Sequence, residues 1–153
     1  MPLVHKILVP VDFSSGSKQS VEYAAALSVE LRSTITLLHV YQLPDLMSAI
    51  VPGADNAADV ERERTLAQSG LESLRTDTQK KTDTEMAVLV AHGSPADEIL
   101  SLSRAGQFDM IVMGTHGRTG LQRLVMGSVA ETVVRRAHCP VLTIHLPLRE
   151  VTQ

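Results

Sequence analysis

Five short runs of apolar and β-branched residues recur along the chain, and stretches of helical character separate them. The runs are Lys6 to Val11 (KILVPV), Thr34 to Val40 (TITLLHV), Glu85 to Ala91 (EMAVLVA), Asp109 to Met113 (DMIVM) and Pro140 to His145 (PVLTIH). Each is too short for a core helix and nearly all apolar or β-branched, which is how a strand covered on both faces reads. Between the first two, Val21, Ala24, Ala25, Ser28 and Leu31 fall on one stripe of helical period. From about Ala58 to Lys81 the pattern is helical and charged, with Val60, Leu66, Leu71 and Leu74 as sparse apolar positions. That predicts a helix with one face on the core and the rest in water, weakened by Gly70 in its interior. The order β-α-β-α-β-α-β-α-β then predicts an α/β fold: an open parallel sheet with helices on both faces and right-handed crossovers. No internal repeat or second domain interrupts it, so residues 1–153 read as one domain with one core.

Bulk properties exclude several classes. With a net charge of −3 there is no general basic surface to draw in nucleic acid, although Arg118 and Arg123 could form a local patch. Trp is absent and the aromatics are two Phe and two Tyr, too few for a base-stacking platform. The opening MPLVHKILVPVDF has no long apolar core and no cleavage signal, and the single Cys139 cannot form an intrachain disulfide. A cytoplasmic protein is the expectation. The six His show no metal-ligand spacing with carboxylates or with Cys139, which reads as a small buried hydrophobe.

The strand ends carry the chemistry. Pro10 cannot donate to a ladder, which places it where pairing of the first strand stops. Asp12 to Ser15 then turn into a helix that Ser14 or Ser15 can cap. Ser94, Pro95 and Asp97 make another helix start: a capping Ser, Pro at the first position and an acid in the first turn. His39 and His92, at the ends of apolar strands, read as packing or edge residues. The segment from Tyr41 to Ala57, with Pro44, Pro52 and Gly53, is long for a plain connection. In an open parallel sheet, ligands bind beyond the carboxyl ends of the strands at a topological switch point. Two unusual loops follow strand ends here: Pro10-Val11-Asp12 after the first, and Gly114 to Ser128 after the fourth. They would face each other across one crevice if those strands are neighbours.

The second loop reads GTHGRTGLQRLVMGS, a spacing of G-x-x-G-x9-G-S from Gly114 through Gly117 to Gly127 and Ser128, followed by the helical VAETVVRRA. It is neither a P-loop, which needs a Gly-Lys pair that the chain lacks, nor the dinucleotide fingerprint, since the first turn has only Gly16. Glycines let a backbone approach an anion closely, and a helix start offers unpaired N–H groups and the positive end of its dipole. Phosphate binding is the reading this favours, with Arg118 as a further contact. Each residue also has a plain structural reading: Gly114 and Gly117 as turn residues, Asp12 or Ser128 as helix caps. His116 invites a catalytic role, but a His in a glycine loop is more often a positioned polar residue.

The G-x-x-G-x9-G-S spacing, KILVPVDFS at the start, LLHV in the second strand and VMGTHGRTGLQRLVMGSVAETVVRRAHCPVL near the end resemble the ATP-binding branch of the universal stress protein family. The resemblance spans essentially the whole chain. It implies a sheet of order 3-2-1-4-5 in an adenine nucleotide alpha hydrolase-like fold, and ATP as ligand. Carried across, it places Pro10, Val11 and Asp12 at the adenosine end, with Asp12 near the ribose or adenine and Val40 lining the base pocket. Met113 and Gly114 would flank the nucleotide. Gly117, Gly127 and Ser128 would line the triphosphate, with the Ser128 hydroxyl and the amides of Ser128 and Val129 as donors, and His116 and Arg118 are counted with them among the nucleotide-binding residues. A divalent ion, Mg²⁺ or Mn²⁺, would accompany the triphosphate, with few protein carboxylates beyond Asp12 to hold it. The resemblance also implies a homodimer through the last strand, Pro140 to His145, whose apolar edge needs cover. The function implied is a regulatory or sensing module in stress response. The rivals are a slow ATPase or self-phosphorylating enzyme, for which only His116 and Asp12 offer themselves, and an interaction protein that uses no nucleotide.

Overall fold

The computed structural model describes residues 3–43, 57–116 and 126–145. Its elements run β1 (Lys6–Pro10), α1 (Ser15–Leu31), β2 (Thr34–Tyr41), α2 (Ala57–Gln79), β3 (Met86–His92), α3 (Pro95–Ala105), β4 (Met110–Gly114), α4 (Ser128–Arg136) and β5 (Val141–Ile144). The strands form one five-stranded sheet in the order β3-β2-β1-β4-β5, parallel at every pairing. This is the expected architecture, and it puts β1 at the centre with β4 as its neighbour across the switch point.

Alternation along β1 explains why helices cover both faces. Ile7 and Val9 point to one side, where they pack with Val21, Ala24 and Ala25 of α1 and Leu71 of α2. Leu8 points to the other side, against Ile99 of α3 and Ala130 and Val133 of α4. A strand buried on both faces has no room for a polar residue on either, hence the unbroken apolar runs.

Local signals account for most boundaries. Ser14 caps α1, its hydroxyl accepting from Ser17 N–H, and the stripe Val21, Ala24, Ala25, Ser28 is buried as expected. Pro95 opens α3 and Gly106 closes it, but Ser94, although at the cap position, makes no capping hydrogen bond through its side chain. In α2 the core face runs through Ala67, Leu71, Leu74 and Thr78, a strict helical stripe. Leu66, one of the sparse apolar positions, lies about 100° away from Ala67 on that helix and is 61% exposed, so helical period turns it to solvent. Gly70 sits one residue before Leu71 in the helix interior, where glycine costs about 0.8–1.0 kcal/mol relative to alanine.

Pro10 is the last residue of β1. Val11 N–H donates to Leu38 O of β2 at 2.7 Å, so the N–H that Pro10 lacks is the one that would have turned toward β4. Pairing of β1 with β4 accordingly ends at Leu8↔Ile111, while pairing with β2 continues to Pro10↔Leu38. The proline lets the central strands part at their carboxyl ends. At the opposite end of β4, Asp109 Oδ2 accepts from His5 N–H at 2.9 Å and Lys6 N–H at 3.0 Å, which ties β1 to β4. Those two backbone hydrogen bonds hold the Asp109 carboxyl below its ordinary pKa.

Candidate functional site

Where β1 and β4 part, a crevice of about 320 Å³ opens. Pro10, Val11 and Asp12 form one wall. Met113, Gly114, Thr115 and His116 form the other, and Gly127 to Ala130 close the top. Leu38 and Val40 of β2 and Pro95 and Ile99 of α3 complete the lining. The two loops singled out in the sequence therefore face each other across one space. Gly117 and Arg118 lie outside the described residues.

The β1 wall is a hydrogen-bonded turn. Ser14 N–H donates to Asp12 Oδ1 at 2.9 Å, which makes Asp12 the head of a local turn, while the helix cap itself is Ser14. His39 Nδ1 lies 2.6 Å from the carbonyl oxygen of Val11. A carbonyl only accepts, so Nδ1 carries the proton and the His39 tautomer is fixed. His39 thus has a defined task beyond strand-end packing. His92 stacks against Tyr41 at 5.0 Å, as a strand-end packing residue should.

The opposite wall is built from backbone. Gly127 N–H donates to Thr115 O at 2.6 Å, which ties the residue before α4 to the residue that follows β4. Gly127 is the N-cap of α4, with φ −61 and ψ 158, and Ser128 is the first helical residue. Ser128 is therefore not the cap, and its hydroxyl has no part in capping. The first intrahelical bond is Glu131 N–H to Gly127 O at 2.9 Å. The amides before it, those of Ser128, Val129 and Ala130, have no partner within the helix, and all three residues line the crevice. Sequence reading found the first two amides; the third follows from the same helix-start rule. The conformation of Gly127 is open to any residue, so the glycine there leaves space, not a special turn. At Gly114 an added Cβ would meet Gly16 and Ser20 of α1 at 3.5 Å, so its bareness faces α1.

Pattern reading alone missed a cluster at the ends of β4 and β5. His116 Nδ1 and His145 Nδ1 lie 2.9 and 3.2 Å from Thr115 Oγ1, and their rings are 5.5 Å apart. The hydroxyl has one hydrogen to give, so with both rings neutral at most one Nδ1 accepts it and the other donates. Residues that meet across neighbouring strands leave no local spacing signal. Ser17, Leu38, Pro95, Ile99 and Ala130 also went unassigned, because they reach the crevice from α1, β2, α3 and α4 through the fold. Cys139 is partly buried, packing beside the cluster around Leu8, and burial pushes its thiol pKa up, keeping it neutral.

Chemically, the crevice has an apolar floor of Val11, Leu38, Val40, Ile99 and Met113, a carboxylate on one side and a helix N-terminus on the other. Such a space suits a flat apolar-faced group that carries an anion. Among the described residues no group of three or more His, Cys, Asp or Glu could hold a metal ion, and Asp12 is the one carboxylate in the lining. Among the same residues, no helix is long and apolar enough to cross a membrane.

Comparison with known proteins places this geometry in context. The model of the universal stress protein family matches residues 4–145. The universal stress protein MJ0531 of Methanocaldococcus jannaschii is 32% identical over 152 residues, covering 97% of this chain and 86% of that protein. Universal stress protein UspA from Lactobacillus plantarum superposes with a TM-score of 0.76 at 22% identity, covering 92% of this chain and 97% of its own. A universal stress protein solved in complex with cAMP superposes with a TM-score of 0.73 at 20% identity, covering 94% of this chain and 98% of its own. At these identities the two structures speak to the fold.

Proposed function

The chain belongs to the universal stress protein family, and we propose that its crevice holds an adenine nucleotide, with ATP as the preferred form, as a regulatory or sensing module in stress response. The observation that carries this reading is the meeting of Asp12 with the leading amides of α4 across one apolar-floored space. The neighbour in complex with cAMP supports adenine nucleotides as the class.

The roles follow from position. Val11 and Val40 flank the base, and Asp12 accepts from the ribose hydroxyls or the adenine amine. Pro10 keeps the strands apart there. Met113 and Gly114 border the middle of the ligand. The phosphates lie toward Gly127, with the amides of Ser128, Val129 and Ala130 and the Ser128 hydroxyl donating to their oxygens. A hydrogen bond from Ser128 to a charged phosphate contributes about 1.5–3 kcal/mol, and the α4 dipole adds about 0.3–1 kcal/mol. His116, Gly117 and Arg118 belong to the same proposal as further phosphate contacts. Mg²⁺ or Mn²⁺ would be held by phosphate oxygens and water, with Asp12 as the lining carboxylate within the chain.

The edge of β5 not facing β4 is the proposed dimer surface. β5 pairs with β4 alone among the described strands, and pairing with a second copy across a two-fold axis would satisfy its outer edge. Light scattering of the purified protein should return twice the chain mass; a monomer at micromolar concentration would refute this.

Incubation with labelled ATP followed by gel filtration tests the main reading. Retained, intact ATP supports a holding site. Steady release of ADP would make the protein an ATPase instead, and a covalently labelled chain would make it self-phosphorylating. No retention of any adenine nucleotide would remove the proposal.

A further inference from the structure

Phe13, directly after Asp12, has a left-handed backbone with φ 63. For a bulky aromatic residue that is a genuine outlier and needs something to hold it. The other two non-glycine residues with positive φ among those described, Arg32 and Gln107, follow the ends of α1 and α3, where a left-handed residue is an ordinary helix stop. Phe13 precedes a helix, so that explanation does not apply.

Packing holds it: it lies against the core cluster on the α1 and α2 face and makes two closer contacts. Its ring lies against the His39 ring, with centroids 4.7 Å apart. Its far edge fills a notch in α2 at Gly70, where an added Cβ would lie 2.9 Å from both Cε1 and Cζ of Phe13. No real Cβ sits that close, so any other residue at position 70 forces the Phe13 ring or α2 to shift. His39 lies against the ring, so a displaced ring disturbs that contact as well. His39 in turn donates to the Val11 carbonyl through Nδ1, and Asp12 accepts from Ser14 N–H. Residues 11 to 14 are thus held at successive points by groups from β2, α2 and the start of α1.

We propose that Gly70, Phe13 and His39 form a lock that sets the position of Asp12 in the crevice, so that α2, which does not line the crevice, governs nucleotide affinity. This rests on the nucleotide reading above and names a means of regulating that site. Gly70, Phe13 and His39 are positioning residues; none of them lines the crevice. The lock also accounts for a glycine in the interior of a long helix, which helix propensity alone disfavours. A partner or modification that shifts α2 by a fraction of its diameter would loosen Phe13 and misplace Asp12.

The test is calorimetric titration of ATP and AMP into the full-length wild type and the variants Gly70→Ala, His39→Phe, Phe13→Leu and Gly70→Ala/Phe13→Leu, alongside their thermal midpoints. Alanine is the better helix former, so Gly70→Ala keeps the fold, yet affinity should fall about tenfold or more as the carboxylate moves off position. His39→Phe keeps a ring against Phe13 but loses the hydrogen bond to Val11 O, and should weaken binding while lowering the thermal midpoint by a few degrees. Phe13→Leu, shorter at the tip, makes room for the new methyl, so the double variant should bind more tightly than Gly70→Ala alone. Hydrogen exchange at Ser14 N–H should speed up wherever affinity falls. Wild type that binds while Gly70→Ala and His39→Phe stay within twofold of it would overturn the lock. Wild type that binds neither nucleotide would instead overturn the reading on which the lock rests.

Discussion

The two walls of the crevice are made rigid by different means. The β1 wall is held by side chains from distant parts of the sequence: Phe13 seated between His39 and Gly70, and Val11 O fixed by His39. The α4 wall is held by main chain: Gly127 N–H on Thr115 O, then the unpaired amides of a helix start. A wall of side chains can be tuned from afar, because each packing partner belongs to another element. A wall of helix amides is set by local geometry and responds mainly to what fills the space in front of it. On this account the α4 wall supplies most of the affinity for phosphate, and the β1 wall sets how that affinity is adjusted.

The sharpest break in that comparison is Gly127→Val. Its backbone conformation suits valine, so the fold should survive, with the thermal midpoint lowered slightly by the poorer N-cap. The added side chain would stand where phosphate approaches, and ATP affinity should fall by about 100-fold or more. Calorimetry showing wild-type affinity would move the phosphates away from α4. Ser128→Ala is milder. It removes one hydroxyl donor and leaves the three amides, so affinity should fall by roughly 10- to 100-fold, with the larger loss for ATP than for adenosine. Equal losses for both would place Ser128 at the wrong end of the ligand.

The smallest effect is expected at the far end of β4, away from both walls. The backbone donors of His5 and Lys6 keep the Asp109 carboxyl below its ordinary pKa of 3.8. Its folded value lies under its unfolded one, so its contribution to stability is complete above the unfolded pKa and is lost as pH falls through the folded pKa. Asp109→Asn should therefore unfold at slightly lower denaturant than wild type between about pH 5 and 8, and the gap should close below about pH 4. A gap that widens in acid would contradict the sign. Nucleotide affinity should not change, because Asp109 lies at the closed end of the sheet.

The same difference between the walls decided what could be read from sequence. Gly127-Ser128 before an amphipathic run is a local signal, and so are Pro10 at a strand end and Pro95 at a helix start. These marked the strand ends and the helix start that border the crevice; the sheet order came from the resemblance to the family. Gly70 looked like a blemish in a helix, because its partner Phe13 is far away in the chain and nothing nearby announces the contact. The apolar positions of α2 do not by themselves define its inward face. Leu66 is apolar, but the helical stripe through Ala67 and Leu71 turns it to solvent. The meeting of His116 and His145 at Thr115 depends on the pairing of β4 with β5 and has no sequence period of its own. At Gly114 an added Cβ would make only ordinary contact with α1, so packing there does not by itself require glycine.

The central claim is that an adenine nucleotide spans the two walls, with phosphate on α4 and adenosine beside Asp12. Titration of nitrogen-15-labelled protein with ATP and then adenosine, followed amide by amide, measures this most directly. ATP should shift Asp12, Ser128, Val129 and Ala130 together, with saturation at one affinity. Adenosine should shift Asp12 while leaving the α4 amides nearly still. Shifts confined to other parts of the surface, or no saturable shift at either wall, would contradict the account.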